Sequence, residues 1–223
     1  MNLTMNTVEQ RVAIVTGAGK GIGQELALKF AERGNALVLL DIDDCEETLR
    51  RISDTGGEAI HAHCDVGSED DWSAARDVVT SRFGRADILV NNAGIYPFAP
   101  LDQLEPEMFR NVMRVNLEGP YLGARVFAPL MTERGWGRIV NLSSNSIGTN
   151  LAGLSHYMAS KMGVIGLTRG LANDLAGAGI TVNAVAPAIT QTPGTSIMPS
   201  ELTDAVWQRQ AVDRRAKRTP LAG

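Results

Sequence analysis

Cysteine is scarce in this chain: there are two in 223 residues, Cys45 and Cys64, and they have no metal-ligand spacing. That scarcity excludes a disulfide framework and a cysteine-built metal site, so no metal is expected and both thiols read as reduced, as in a cytoplasmic protein. Long apolar runs are lacking too. No stretch approaches the roughly 18 apolar residues that span a bilayer, and the polar residues 1–10 have no apolar centre of the kind an export signal needs. Neither a membrane span nor a leader is expected. A strong charge of one sign is also missing, since the formal net charge is -4. No broad basic surface for nucleic acid or an anionic membrane follows from that balance, and the basic cluster at 209–218 is interrupted by Asp213.

What the chain does contain is 44% hydrophobic residues, enough for one sizeable core. A single α/β domain is expected over 1–223, with a polar tail at 1–9. Apolar runs at 11–16, 36–40, 59–64, 86–90, 137–144 and 180–185 read as strands. Helical patterns separate them at 22–33, 45–54, 69–83 after a Ser68 cap, 106–134, and through Tyr157 to 176. Asn116, Gly119 and Pro120 lie inside the fourth of these, and the interior proline predicts a bend or local break in it. The alternation predicts a doubly wound Rossmann domain with a parallel sheet and ligands beyond the carboxyl ends of the strands.

Between the first strand and helix runs Thr16-Gly17-Ala18-Gly19-Lys20-Gly21-Ile22-Gly23. Its glycines let the backbone approach a pyrophosphate, and the N–H groups and dipole of the following helix stabilise that charge. The second strand ends at Asp41, where a carboxylate accepts the hydroxyls of an adenosine ribose and repels a 2′-phosphate. Lys20 argues the other way, as a cation able to pair with that phosphate. The facing carboxylate is the stronger term, so NAD is expected ahead of NADP. Asn91-Asn92-Ala93-Gly94 follows the fourth strand. An asparagine pair serves a turn equally well; before a small Ala-Gly step it anchors the sheet and lines the cofactor cleft with Asn92, Ala93 and Gly94.

Tyr157 and Lys161 stand at i and i+4, on one face of a helix. A phenol titrates near ~10, so a fixed cation beside Tyr157 is expected to lower its pKa towards use as a proton shuttle. Upstream, Gly137-Arg138-Ile139-Val140-Asn141-Leu142-Ser143-Ser144 is a strand ending in two hydroxyls.

With the glycine loop, the Asn92 segment, Asn116, Ser144, Tyr157 and Lys161 in this order, the chain resembles the short-chain dehydrogenase/reductase family from the glycine loop to about residue 193. The spacing Gly-x-x-x-Gly-x-Gly is that family's form. The resemblance implies an oxidoreductase transferring a hydride between NAD(H) and a secondary alcohol or ketone, apolar or aryl. In that role Tyr157 is the acid and base, Ser144 donates to the substrate oxygen, Lys161 also binds the ribose hydroxyls, and Asn116 holds a water leading to Lys161. It further implies cofactor contacts from Ile22, from Asp65 and Val66 beside the adenine, and from Pro187, Ile189 and Thr192. The family's usual Pro-Gly is Pro187-Ala188 here.

The resemblance also implies a substrate lid at 188–215, with Tyr96, Leu151, His156 and Trp207 as substrate-contact candidates. Ile95-Tyr96-Pro97 and Gly135-Trp136-Gly137-Arg138 are similar to segments of members acting on aryl secondary alcohols. Small residues along the Tyr157 helix, including Gly163, Gly166 and Gly170, suit the helix pairing that makes family members dimers and tetramers, and equally suit docking on the helix's own sheet. The chain ends at Gly223, where the family continues with a helix and a last parallel strand; either the chain is shortened or a sheet edge is left uncovered. An NADPH-dependent 3-oxoacyl thioester reductase is the alternative enzyme, and a non-catalytic nucleotide-binding protein the alternative of another class.

Overall fold

The central strands are apolar on both faces and therefore need cover on both sides. In the computed structural model, which describes residues 10–148, 151–188, 190 and 192, they have it. Strands β1 (Val12–Thr16), β2 (Ala36–Asp41), β3 (Ala59–His63), β4 (Ile88–Asn91), β5 (Gly137–Leu142) and β6 (Ile180–Val185) form a parallel sheet in the order β3-β2-β1-β4-β5-β6. On one face, α1 (Gly21–Glu32) and α2 (Glu46–Asp54) bury Ala27, Ala31 and Ile52 against Ala13, Val15, Leu37 and Leu39. On the other, α3 (Glu69–Phe83) and α5 (Gly119–Glu133) bury Trp72, Val79, Phe127 and Met131 against Val12, Ile14, Val38 and Leu40. The chain reverses direction across the sheet between β1 and β4, and the crevice outside their carboxyl ends is where a doubly wound sheet takes a ligand.

The helical pattern at 106–134 is divided. Helix α4 (Pro106–Met113) runs into a wide π-type turn at Arg114–Glu118, and α5 begins at Gly119. The π turn lies where an interior proline predicts a bend, because Pro120 has no N–H for the carbonyl four residues before it, that of Asn116. The π turn carries Asn116 fully inside the protein. Helix α6 (Ser155–Leu175) follows β5 and leads to β6.

Trp136 precedes β5, at the end of the sheet opposite the ligand crevice, with the Arg11 guanidinium 3.9 Å and the Arg138 guanidinium 4.3 Å from its ring centroid. Among the described residues β3 and β6 are the outer strands, no group of side chains could hold a metal ion, and no helix is long and apolar enough to cross a membrane. Trp207, Ile189 and the lid segment beyond 192 lie outside the described residues.

Candidate active site

The glycine loop is shaped by close backbone approach. Gly17 has φ +64° and donates its N–H to Leu40 O at 2.8 Å. A Cβ on Gly23 would stand 2.0 Å from Gly17 O, so only glycine lets α1 start this close to the loop. The first turn of α1, with Ile22 half-buried in it, has no capping side chain and no acidic residue. Its N–H groups and dipole are left to an anion, which is the cradle a pyrophosphate requires.

Asp41 lies beside this cradle. Its Oδ2 accepts Gly19 N–H at 2.8 Å and its Oδ1 accepts Asp43 N–H at 3.1 Å, and each oxygen keeps a further lone pair for a ribose hydroxyl. Lys20 turns outward to Asp43, 2.9 Å away, with both side chains exposed. The hydrogen bond and charge of Asp43 raise the Lys20 pKa above its ordinary value. Thr192 lies over Gly21, its Cβ 3.4 Å from where a Cβ on that glycine would be.

Two asparagines hold the crevice walls together. Asn91 Nδ2 donates to Asn141 Oδ1 at 2.8 Å, tying β4 to β5. Asn92 Nδ2 donates to Thr16 O at 2.8 Å and Gly17 O at 3.2 Å, while Thr16 Oγ1 accepts the N–H groups of Asn92 and Ala93 at 3.0 and 2.9 Å. Asp65 follows β3 and is paired with Arg114 at 2.9 Å; Val66 behind it is buried, its carbonyl accepting Trp72 Nε1–H at 2.8 Å.

At the other end of the crevice Gly94 passes over two buried groups: a Cβ on it would be 3.2 Å from Asn116 Oδ1 and 3.4 Å from Lys161 Nζ. Lys161 Nζ donates to Leu142 O at 2.8 Å and stands 5.7 Å from the Tyr157 ring centroid. Ser144 hydrogen-bonds the Tyr157 hydroxyl and accepts Ser146 N–H at 3.2 Å. Pro187 borders this end, its carbonyl accepting Asn145 N–H at 3.1 Å. The structure therefore brings Asn116, Ser144, Tyr157 and Lys161 together at the carboxyl ends of β4 and β5, next to the glycine loop.

The electrostatics differ from the expectation that Lys161 lowers the Tyr157 pKa. Burial raises it above the ordinary phenol value, the Ser144 hydrogen bond works against that rise, and Tyr96 adds to it. Burial also pushes Lys161 down to about 8. Burial is the larger effect on the phenol, so the protein's groups alone leave Tyr157 protonated near neutrality.

The substrate candidates separate. The half-buried Tyr96 ring meets Tyr157 edge-on, centroids 6.0 Å apart at 71°, and Leu151 is half-buried. His156 is fully buried and its Nε2 lies 2.8 Å from Pro97 O, so it pins the segment bearing Tyr96 and offers a substrate no surface. Sequence reasoning missed Thr16, Ser160, which accepts a bond from Asn116 Nδ2 at 3.1 Å, and Arg114. A hydroxyl ending the strand before a glycine loop is a usable signal for Thr16; Arg114 had none.

Residues 11–202 match the family model described as short chain dehydrogenase. A cis-4-hydroxycyclohexanecarboxylate dehydrogenase of Sinomonas cyclohexanicum is 39% identical over 96% of this chain and 86% of its own length. Among solved structures, an NAD+-bound xylitol dehydrogenase superposes with TM-score 0.77 at 36% identity over 80% of this chain and 70% of its own. A gluconate 5-dehydrogenase of Burkholderia cenocepacia J2315, in complex with NADP and tartrate, does so with TM-score 0.77 at 41% identity over 83% and 73%. The chain belongs to the short-chain dehydrogenase family and is an oxidoreductase of the alcohol and ketone type.

Proposed function

We propose that the protein transfers a hydride between NAD(H) and a secondary alcohol or ketone bearing an apolar or aryl group. The observation that carries this reading is the convergence of Tyr157, Ser144, Lys161 and Asn116 at one end of the crevice whose other end is the uncapped helix beside Asp41. The residues fit a nicotinamide dinucleotide: glycines where a side chain would collide, free N–H donors for the diphosphate, and a carboxylate for the ribose. Such a cofactor supplies the hydride chemistry.

The chain's own groups do the rest. Tyr157 takes the hydroxyl proton when an alcohol is oxidised and returns it when a ketone is reduced. Ser144, already bonded to the Tyr157 hydroxyl, donates to the substrate oxygen and fixes it against the phenol. Lys161 in its protonated form holds ribose hydroxyls and favours the phenolate. Asn116 keeps Gly94 and Lys161 in register and extends the proton path towards water.

NAD is the preferred dinucleotide in this reading because Asp41 faces the ribose position and Lys20 is drawn away to Asp43. Tyr96, held edge-on against Tyr157, forms a flat apolar wall suited to an aryl or alicyclic substituent; Leu151 lies nearby in sequence to the same helix start. Two copies pair through the open apolar groove of α4, the π turn, α5 and α6, where Phe109, Tyr121 and Met162 are exposed and Gly166 and Gly170 have open space before them.

Titration with NADH and NADPH by fluorescence, followed by a screen of aryl and alkyl secondary alcohols, tests the proposal. Tighter NADH binding and turnover of an apolar alcohol support it. Tighter NADPH binding transfers the reading to a 3-oxoacyl thioester reductase, and binding of neither removes the enzyme reading.

A further inference from the structure

Arg114 is the first residue of the π turn, two positions before Asn116, and its side chain reaches the carboxylate of Asp65, which follows β3. Its Nη1 donates to both carboxylate oxygens of Asp65, at 2.9 and 3.1 Å, while Nε and Nη2 donate to Asn111 Oδ1 at 3.3 and 3.1 Å. One planar fork is thus held on two sides, a geometry a lysine cannot copy. Gly67 is shaped to this contact: a Cβ there would stand 2.0 Å from Arg114 Nη1, and the Gly67 N–H donates to Asp65 Oδ1 at 2.9 Å. Asp65 N–H in turn donates to Asp71 Oδ2 at 2.8 Å. The carboxylate is therefore fixed in direction, with lone-pair capacity left, chiefly on Oδ2.

Its place follows from Asp41. The carbonyl of Asp41 accepts Cys64 N–H at 3.0 Å, so Asp65 stands one residue beyond the neighbouring-strand partner of Asp41. We propose that Arg114 is a positioning residue for the adenine end of the dinucleotide: it holds the Asp65 carboxylate so that it accepts the exocyclic amine of the base. This rests on the dinucleotide reading above. Adenine donates from that amine, whereas hypoxanthine carries a carbonyl oxygen at the same position, which a fixed carboxylate repels. The protein accordingly discriminates between the two bases, and the discrimination depends on Arg114.

The test is the ratio of affinities for NADH and its hypoxanthine analogue, measured by fluorescence on the whole chain and on Arg114→Met and Arg114→Lys, with melting temperature recorded alongside. The wild type favours NADH by about tenfold or more, a difference of one charged hydrogen bond, and both variants bring the ratio close to one. Where Arg114→Met does not fold, Arg114→Lys decides by the same ratio. The proposal is overturned by a wild type that binds both alike, by variants that keep the preference, or by variants that lose affinity for both by one factor, since that is a general loss of structure. A wild type that binds neither removes the dinucleotide reading itself.

Discussion

Asn116 grips the main chain of Ile95 at both polar ends: its Nδ2 donates to Ile95 O and its Oδ1 accepts Ile95 N–H, each at 2.8 Å. A third bond joins Nδ2 to Ser160 Oγ on α6, so one fully buried amide ties the π turn, the segment after β4 and the Tyr157 helix together. Asn116→Ala leaves those partners buried and unpaired, and is expected to destabilise the fold by about 1–3 kcal/mol in denaturant titration. Because the same amide sets the position of Gly94 over Lys161, turnover is expected to fall as well.

The buried lysine gives a pH signature. Lys161 has a folded-state pKa of about 8, below the ~10.4 of an unfolded lysine, so the folded protein binds fewer protons between those values. Its unfavourable charge weighs on the fold in full below about pH 8 and is relieved as the pH rises towards the unfolded value. Wild-type stability is therefore expected to rise relative to Lys161→Met between about pH 8 and 10, by on the order of 2 kcal/mol. Chemical denaturation of both proteins across that range measures the difference.

Cofactor choice is expected to turn on Asp41. Asp41→Ser removes the charge that faces a 2′-phosphate and one acceptor of ribose hydroxyls, while Lys20 remains paired with Asp43. NADH affinity should fall and NADPH affinity rise, each by about tenfold, in the same fluorescence titration.

Neither thiol should be reactive. Burial is the first cause that pushes Cys45 and Cys64 up to about 12, with nearby aspartates adding to it. A thiol-specific reagent at pH 8 should label no more than a trace of the folded protein's Cys45 and Cys64, and both once it is unfolded in denaturant.

The fold was legible because each strand is a short apolar run and each helix has its own period and stop; the pattern at 69–83 and the strand at 180–185 match the structure residue for residue. The residues of the candidate site could be picked out because the chemistry proposed for them needs rare residue types in fixed order. Three things were not. The π form of the turn at Arg114–Glu118 is set by packing; Pro120 marks only that the helix bends at Asn116, whose carbonyl lies four residues before it. The Asp65–Arg114 pair joins residues 49 positions apart, across elements whose relative rotation only packing decides. The Tyr157 pKa depends on burial: an i, i+4 spacing shows that Lys161 is near, while the loss of water around both groups reverses the expected direction.

The most direct test of the central claim is the turnover of Tyr157→Phe with the alcohol the wild type accepts. In the proposed mechanism the phenol supplies the proton transfer and little to the fold, so the variant should bind dinucleotide as the wild type does and lose on the order of 10²–10⁴ in rate, roughly 3–5 kcal/mol of barrier. Turnover close to the wild-type value would contradict the assignment of Tyr157 as acid and base.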